Sequence, residues 1–161
     1  MKLVMVRVDD RLIHGQVTMG WTRQVGPDRI VVANDRAATD PLQRAMLEMA
    51  PAPGVQLSVL EVAAFQAAVA SGSFGSERVF LIVATPVDLV RLLDGGTPID
   101  DVVVGNIGYR AGRRTISKEV HADEAELEAL RELARRGVRL VAQWLPNSGR
   151  MDLARELERI K

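Results

Sequence analysis

Leu3-Val4-Met5-Val6-Arg7-Val8-Asp9-Asp10-Arg11-Leu12-Ile13-His14-Gly15-Gln16-Val17 changes character twice. Leu3–Val8 has the short, β-branched, mostly apolar composition of a strand. Asp9–His14 then crowds two carboxylates, a guanidinium and an imidazole into one loop. Gln16–Val25 follows as a helix, with Val17, Trp21 and Val25 on one stripe. A strand that feeds a polar loop and then a helix is the opening unit of an α/β fold.

The same alternation continues along the chain. Arg29–Ala33 reads as a strand. Pro41–Met49 reads as a helix, with proline in its first turn, Asp40 as N-cap and Pro51-Ala52-Pro53-Gly54 as its stop. Val55–Leu60 is a strand, and Val62–Ala70 an alanine-rich helix ending in the Ser71–Ser76 turn cluster. Val79–Val83 is a wholly apolar strand, Pro86–Leu93 a helix closed by Gly95-Gly96, and Asp101–Val104 a strand. Gly105–Arg114 is a loop rich in glycine and arginine. Asp123–Arg136 is the clearest helix, acidic at its start, basic at its end and followed by Gly137. Val138–Trp144 is a strand, and Ser148–Lys161 a last short helix. Apolar runs such as Ile30–Ala33 and Val79–Val83 suit strands buried on both faces. The expectation is one α/β domain over residues 1–161, a mostly parallel sheet sandwiched by helices, with room for one antiparallel edge strand.

Composition narrows the function. The 161 residues contain no cysteine, which excludes disulfides, zinc–cysteine sites, iron–sulfur clusters and a cysteine nucleophile. Lys plus Arg and Asp plus Glu both number 21, so no global field draws the chain to nucleic acid or an anionic membrane. The apolar start is too short for a signal-peptide core, and no stretch is long enough to span a bilayer. A cytoplasmic protein is expected, peripheral to a membrane only through partners. No metal-ligand spacing is present.

Parallel sheets bind ligands outside the carboxyl ends of their strands. That rule selects Asp9–Gln16, then Asn34, Asp35 and Arg36, then Thr85, then Asn106. The first loop carries the most chemistry. Backbone N–H groups at a helix start favour anions, and a guanidinium fork suits phosphate oxygens. An imidazole nitrogen can act as a nucleophile at neutral pH, which makes His14 the candidate. Gly15 permits close approach. Against this stands a plainer reading: a loop histidine is usually a surface residue, and an Asp-Asp-Arg group a solvated ion-pair cluster. His121 reads as a flank of the helix after it, and Ser117 lacks a triad setting. An anion- or nucleotide-binding module without turnover also remains, although no Gly-rich phosphate loop is present.

Residues 6–17 closely resemble the signature of the enzyme IIB component of the mannose/fructose/sorbose family of the bacterial phosphoenolpyruvate-dependent sugar phosphotransferase system. The likeness continues through Trp21-Thr22, Ile30–Asp35, Met49–Val55, Gly112–Lys118, Gly137-Val138 and Gln143-Trp144-Leu145-Pro146, and so covers essentially the whole chain. The loop 104–110 departs from the family wording, in which asparagine precedes a glycine pair.

The resemblance implies a phosphocarrier. The histidine matching His14 accepts a phosphoryl group from phosphorylated IIA, on Nδ1 in that family, and passes it to a sugar held by the membrane components IIC and IID. The arginine matching Arg11 assists the phosphoryl group, and no metal or organic cofactor is implied. Asp9, Asp10, Gly15 and Gln16 support the active loop; Asn34, Asp35, Thr85 and Asn106 are rim candidates placed by the strand-end rule. A carboxylate beside a phosphate repels it, so at least one of Asp9 and Asp10 is expected to shape the loop, with Asp10 read as the nearer neighbour. His14 is expected on an exposed, shallow surface that a partner can reach. Arg7, Arg11, Arg23 and the Tyr109–Arg114 loop are expected to form a local basic face. The alternative is a regulatory carrier whose phosphorylation state a partner reads without sugar transport.

Overall fold

Strand β1 (Lys2–Asp9) runs through the middle of the sheet, and its residues 5–9 are all buried. The structure, a computed structural model, describes residues 1–49 and 53–160, except for the side chain of Gln16. Pro51, Ala52 and Lys161, which the sequence reading used as a helix stop and a helix end, lie outside the described residues.

β4 (Arg78–Val83) and β5 (Asp101–Asn106) flank β1 on its two sides, both parallel to it. β2 (Arg29–Ala33) and β3 (Gln56–Leu60) continue the parallel sheet beyond β4, and β8 (Arg139–Ala142) continues it beyond β5. With β9 (Met151–Asp152) at the edge beyond β8, the order is β3-β2-β4-β1-β5-β8-β9. β9 pairs antiparallel with β8 and supplies the antiparallel edge strand.

Helices cover both faces because the central strands are apolar on both faces. On one face α1 (Gly15–Val25) and α3 (Pro41–Glu48) bury Val17, Trp21 and Leu47 against Met5, Ile30, Val32, Phe80 and Ile82. On the other, α4 (Val62–Ala70), α5 (Pro86–Asp94), α6 (Glu124–Arg135) and α7 (Leu153–Arg159) bury Phe65, Leu89, Leu127, Leu130 and Leu157 against Val6, Val8, Leu81 and Val104. Each such Leu or Phe contributes about 1.5–3 kcal/mol.

Side-chain caps set several helix starts. Asp40 accepts the N–H groups of Leu42 and Gln43 at the start of α3. Asp123 and Glu126 form a reciprocal capping box, so Asp123 stands just outside α6 rather than in its first turn.

Three local readings change. Residues after β2 form a one-turn helix, α2 (Asp35–Thr39), too short to show apolar periodicity. The segment before α6 contains a two-residue hairpin of β6 (Arg114–Thr115) and β7 (His121–Ala122), so His121 is a strand residue and not a loop flank. The last helix starts at Leu153 instead of Ser148, because Asp152 pairs in β9 and then caps α7 through the Arg155 N–H. Among the described residues no helix is long and apolar enough to cross a membrane.

Candidate active site

The chain leaves β1 at its carboxyl end and makes a tight turn in which the Leu12 N–H donates to the Asp9 carbonyl at 2.9 Å. Leu12 has φ 59°, the only non-glycine residue with positive φ among the described residues. That backbone region is costly for a branched L-residue. Burial of the Leu12 side chain beside Val17 and Trp21 holds it there.

His14 is the N-cap of α1. Its carbonyl accepts the N–H groups of Val17 and Thr18, and its own N–H donates to Thr18 Oγ1 at 2.9 Å. The backbone of His14 is therefore anchored while its ring is exposed and makes no hydrogen bond to the described residues. Gly15, with φ 34°, starts the helix, and Gln16 follows in the first turn. The positive end of α1 favours an anion carried at this position.

Beneath the loop lies a charged row. Asp9 is 1% exposed. Its Oδ2 accepts from an Arg7 terminal nitrogen at 3.1 Å. Its Oδ1 accepts both the Arg11 backbone N–H and the Arg11 Nε–H, each at 3.2 Å. Arg7 is as buried as Asp9; it also donates to the Gln143 carbonyl at 3.1 Å and lies 5.7 Å from the centre of the Trp21 ring. Burial pushes the Arg7 guanidinium below its ordinary value, and Asp9 pulls it back up. Arg11, by contrast, is partly exposed, and its two terminal amino groups have no partner among the described residues.

Asp10 points elsewhere. Its Oδ1 accepts from Asn106 Nδ2 at 2.7 Å and its Oδ2 from the Gly108 N–H at 2.9 Å, with Arg113 at 3.7 Å. In return the Asp10 N–H donates to the Asn106 carbonyl at 3.0 Å. Asp10 thus fastens the end of β1 to the loop after β5.

The other strand-end residues cap helices. Thr85, at the end of neighbouring β4, accepts the Asp88 N–H at the start of α5. Asn34 accepts the Ala37 N–H at the start of α2. Asp35 accepts the Val62 N–H and pairs with Arg91 at 2.9 Å. β4 separates β2 from β1, so Asn34 and Asp35 stand one strand away from the His14 loop.

A cleft of about 330 Å³ opens at the ends of β5 and β8, lined by Gly105, Lys118, Gln143 and Trp144 among others; His14 is not part of its wall. The imidazole stands on open surface.

A family model described as the phosphotransferase system sorbose subfamily IIB component matches residues 3–160. The chain belongs to this IIB family. It is 34% identical over 162 residues to the mannose-specific EIIAB component of Escherichia coli K12, covering 99% of this chain and 50% of that protein. It therefore spans about half the length of that relative. It is 30% identical to the sorbose-specific EIIB component of Lacticaseibacillus casei, covering 99% of this chain and 98% of the relative. The crystal structure of the IIBSor domain of the sorbose permease from Klebsiella pneumoniae superposes with a TM-score of 0.96 at 28% identity, covering 100% of this chain and 99% of that one.

Two expectations about this IIB chain are corrected. Arg7 is not part of an exposed basic face; it is buried under the loop, because it shares a strand face with Asp9 and neutralises it. Arg113 is only 8% exposed and is spent on Glu126 at 2.6 Å. Arg23 and Arg110 do lie on the surface with Arg11. Thr18 was not picked out by the sequence reading. The signal for it was its spacing, since a hydroxyl four residues after an N-cap sits over the cap's N–H in the first turn. Gln143 serves Arg7 through its backbone, which no side-chain pattern announces.

Proposed function

We propose that this IIB chain is a phosphocarrier of sugar uptake, taking a phosphoryl group onto His14 from phosphorylated IIA and handing it to a sugar held by the membrane components IIC and IID. In the first step a ring nitrogen of His14 attacks phosphorus in line. The P–N bond to the donor imidazole breaks, and its electron pair returns to that donor nitrogen. In the second step a sugar hydroxyl oxygen attacks phosphorus, the P–N bond to His14 breaks, and the released ring nitrogen takes the hydroxyl proton. Both steps demand positioning and charge stabilisation more than covalent help from other side chains. The Arg11 fork and the N–H groups at the start of α1 supply that stabilisation.

The observation that carries this reading is the exposed His14 ring, unpartnered among the described residues, on a hydrogen-bonded N-cap three residues after an arginine whose two terminal amino groups also have no partner among the described residues. A partner protein can reach such a ring, whereas a closed pocket would exclude it. The relatives' names, mannose-specific and sorbose-specific, describe those proteins; the sugar carried here is set by the membrane components. The chain acts at the cytoplasmic side of the membrane through those partners.

The test is incubation with purified phosphorylated IIA. One acid-labile, base-stable phosphate per chain is expected, and none on a His14→Ala protein. Labelling that survives His14→Ala overturns the assignment. Labelling of His14 that passes to no sugar in the presence of IIC and IID points instead to a regulatory carrier.

A further inference from the structure

The exposed arginine of the site is held by one edge only. Asp9 takes the Arg11 Nε–H and the Arg11 backbone N–H on the same oxygen, Oδ1, at 3.2 Å each. The two terminal amino groups, the pair that matches two phosphate oxygens, have no hydrogen-bond partner among the described residues. The other oxygen of Asp9 is taken by Arg7 at 3.1 Å. Arg7 is itself locked by the Gln143 carbonyl, by the Trp21 ring and by the space beside Gly105, where a Cβ would fall on its guanidinium.

We propose that the buried Arg7–Asp9 pair is a positioning device for Arg11, holding its fork aimed at the phosphoryl group on His14. The proposal rests on the phosphocarrier reading above and assigns to that site two residues that touch no phosphate.

The charge arrangement suits the task. An ionised carboxylate near a transferring phosphoryl group would repel it. Here each oxygen of Asp9 is matched by a guanidinium, and the row of two arginines and one aspartate carries one surplus positive charge. An unclamped arginine would spread its fork over many rotamers and lose orientation before each transfer. Arg7 fixes Asp9 in a site that is otherwise shut to water, 1% exposed, where a carboxylate without a partner would be costly. A lysine at position 11 has no Nε–H edge beside a terminal fork and could not be held this way.

The decisive experiment removes the pair as a unit. Arg7→Met with Asp9→Leu takes out both buried charges together, a change that buried ion pairs tolerate far better than loss of one partner. Phosphoryl transfer from purified phosphorylated IIA is then measured in this background, in Arg11→Ala, and in the combination. The expected result is a loss of about 10²-fold in kcat with the KM for IIA unchanged. In the Arg11→Ala background the same pair of substitutions should cost less than about twofold, because there is no fork left to aim. Equal losses in both backgrounds overturn the proposal and make the pair a loop-building element; so does no loss at all.

A second measurement needs no variant of the pair. The Arg11 Nε–H of the full chain should give a sharp, slowly exchanging NMR signal that is missing from Arg11→Ala, unlike the exposed Arg23. Exchange at the same rate as Arg23 overturns the clamp even if the variant protein fails to fold. If wild-type protein takes no phosphate on His14, the phosphocarrier reading falls, while this signal still decides the clamp. An Arg11→Ala protein that transfers at the wild-type rate overturns the proposal and leaves the phosphocarrier reading standing.

Discussion

The guanidinium of Arg7 fills the space in which a side chain on Gly105 would begin. Two adjacent parallel strands, β1 and β5, meet there with one charged side chain between them. Gly105→Ala should therefore force Arg7 out of its bonds to Asp9 and Gln143. Overpacking of a filled interior costs about 1–3 kcal/mol. Urea unfolding should show a lower midpoint with an unchanged slope, and a midpoint equal to wild type would contradict the packing described.

Leu12 sets two effects against each other. Replacement by glycine relieves a left-handed backbone worth about 1–2 kcal/mol, but removes a side chain 3% exposed in the core beside α1. Truncating a buried leucine costs about 2–5 kcal/mol. Burial wins, so Leu12→Gly should be less stable by about 1–3 kcal/mol in equilibrium unfolding. A stabilised Leu12→Gly protein would mean that strain, rather than packing, dominates the turn.

Thr18→Val removes the acceptor of the His14 N–H and keeps the shape of the side chain. Loss of such a bond at a helix start costs about 1 kcal/mol. Hydrogen exchange should accelerate at the His14 amide and in the first turn of α1, with α6 unaffected. Uniform acceleration across the chain would assign the effect to global stability instead.

Asp10→Ala should free the loop after β5. The Gly108 N–H and the Asn106 amide both lose their acceptor, at about 1–3 kcal/mol for a donor left unsatisfied. Faster exchange of the Gly108 amide is expected together with a lower melting temperature. Retained protection at Gly108 would show that Arg113, which donates to the Gly108 carbonyl, holds the loop alone.

Asp35 contributes to acid sensitivity. The Val62 N–H, and after it Arg91, hold its carboxyl below the usual carboxylate range. A depressed folded value stabilises the fold above the unfolded value of about 3.9, and that stabilisation disappears as pH falls through the folded value. Burial raises the neighbouring Asp88, which acts in the opposite sense, regaining stability as it takes up its proton. Asp35→Asn should flatten the fall of stability below about pH 4 relative to wild type. An unchanged acid limb would remove Asp35 from the cause.

The elements legible in the sequence were those with long apolar signals. Val79–Val83 and Ile30–Ala33 announced buried strands, and the Leu127, Leu130 and Leu133 repeat announced α6, because such faces must be covered wherever they occur. Asp40 announced its helix because a cap acts within three residues. The hairpin Arg114–Thr115 with His121–Ala122 had no comparable signal; two-residue strands are too short to alternate, and their pairing is decided by how the segment packs at Ile107 and Val120. His14, Arg11 and the two aspartates stood out as a cluster at a strand end, but their division of labour did not.

What the amino-acid order determined by itself was the alternation of strand and helix, and with it the placing of a histidine and an arginine on one loop at the sheet's carboxyl edge. Only the tertiary structure decided that Asp9 turns inward to two arginines while Asp10 reaches across to Asn106 and Gly108. Adjacent residues on a strand point to opposite sides, and which side meets a partner depends on strands that arrive about a hundred residues later in the chain.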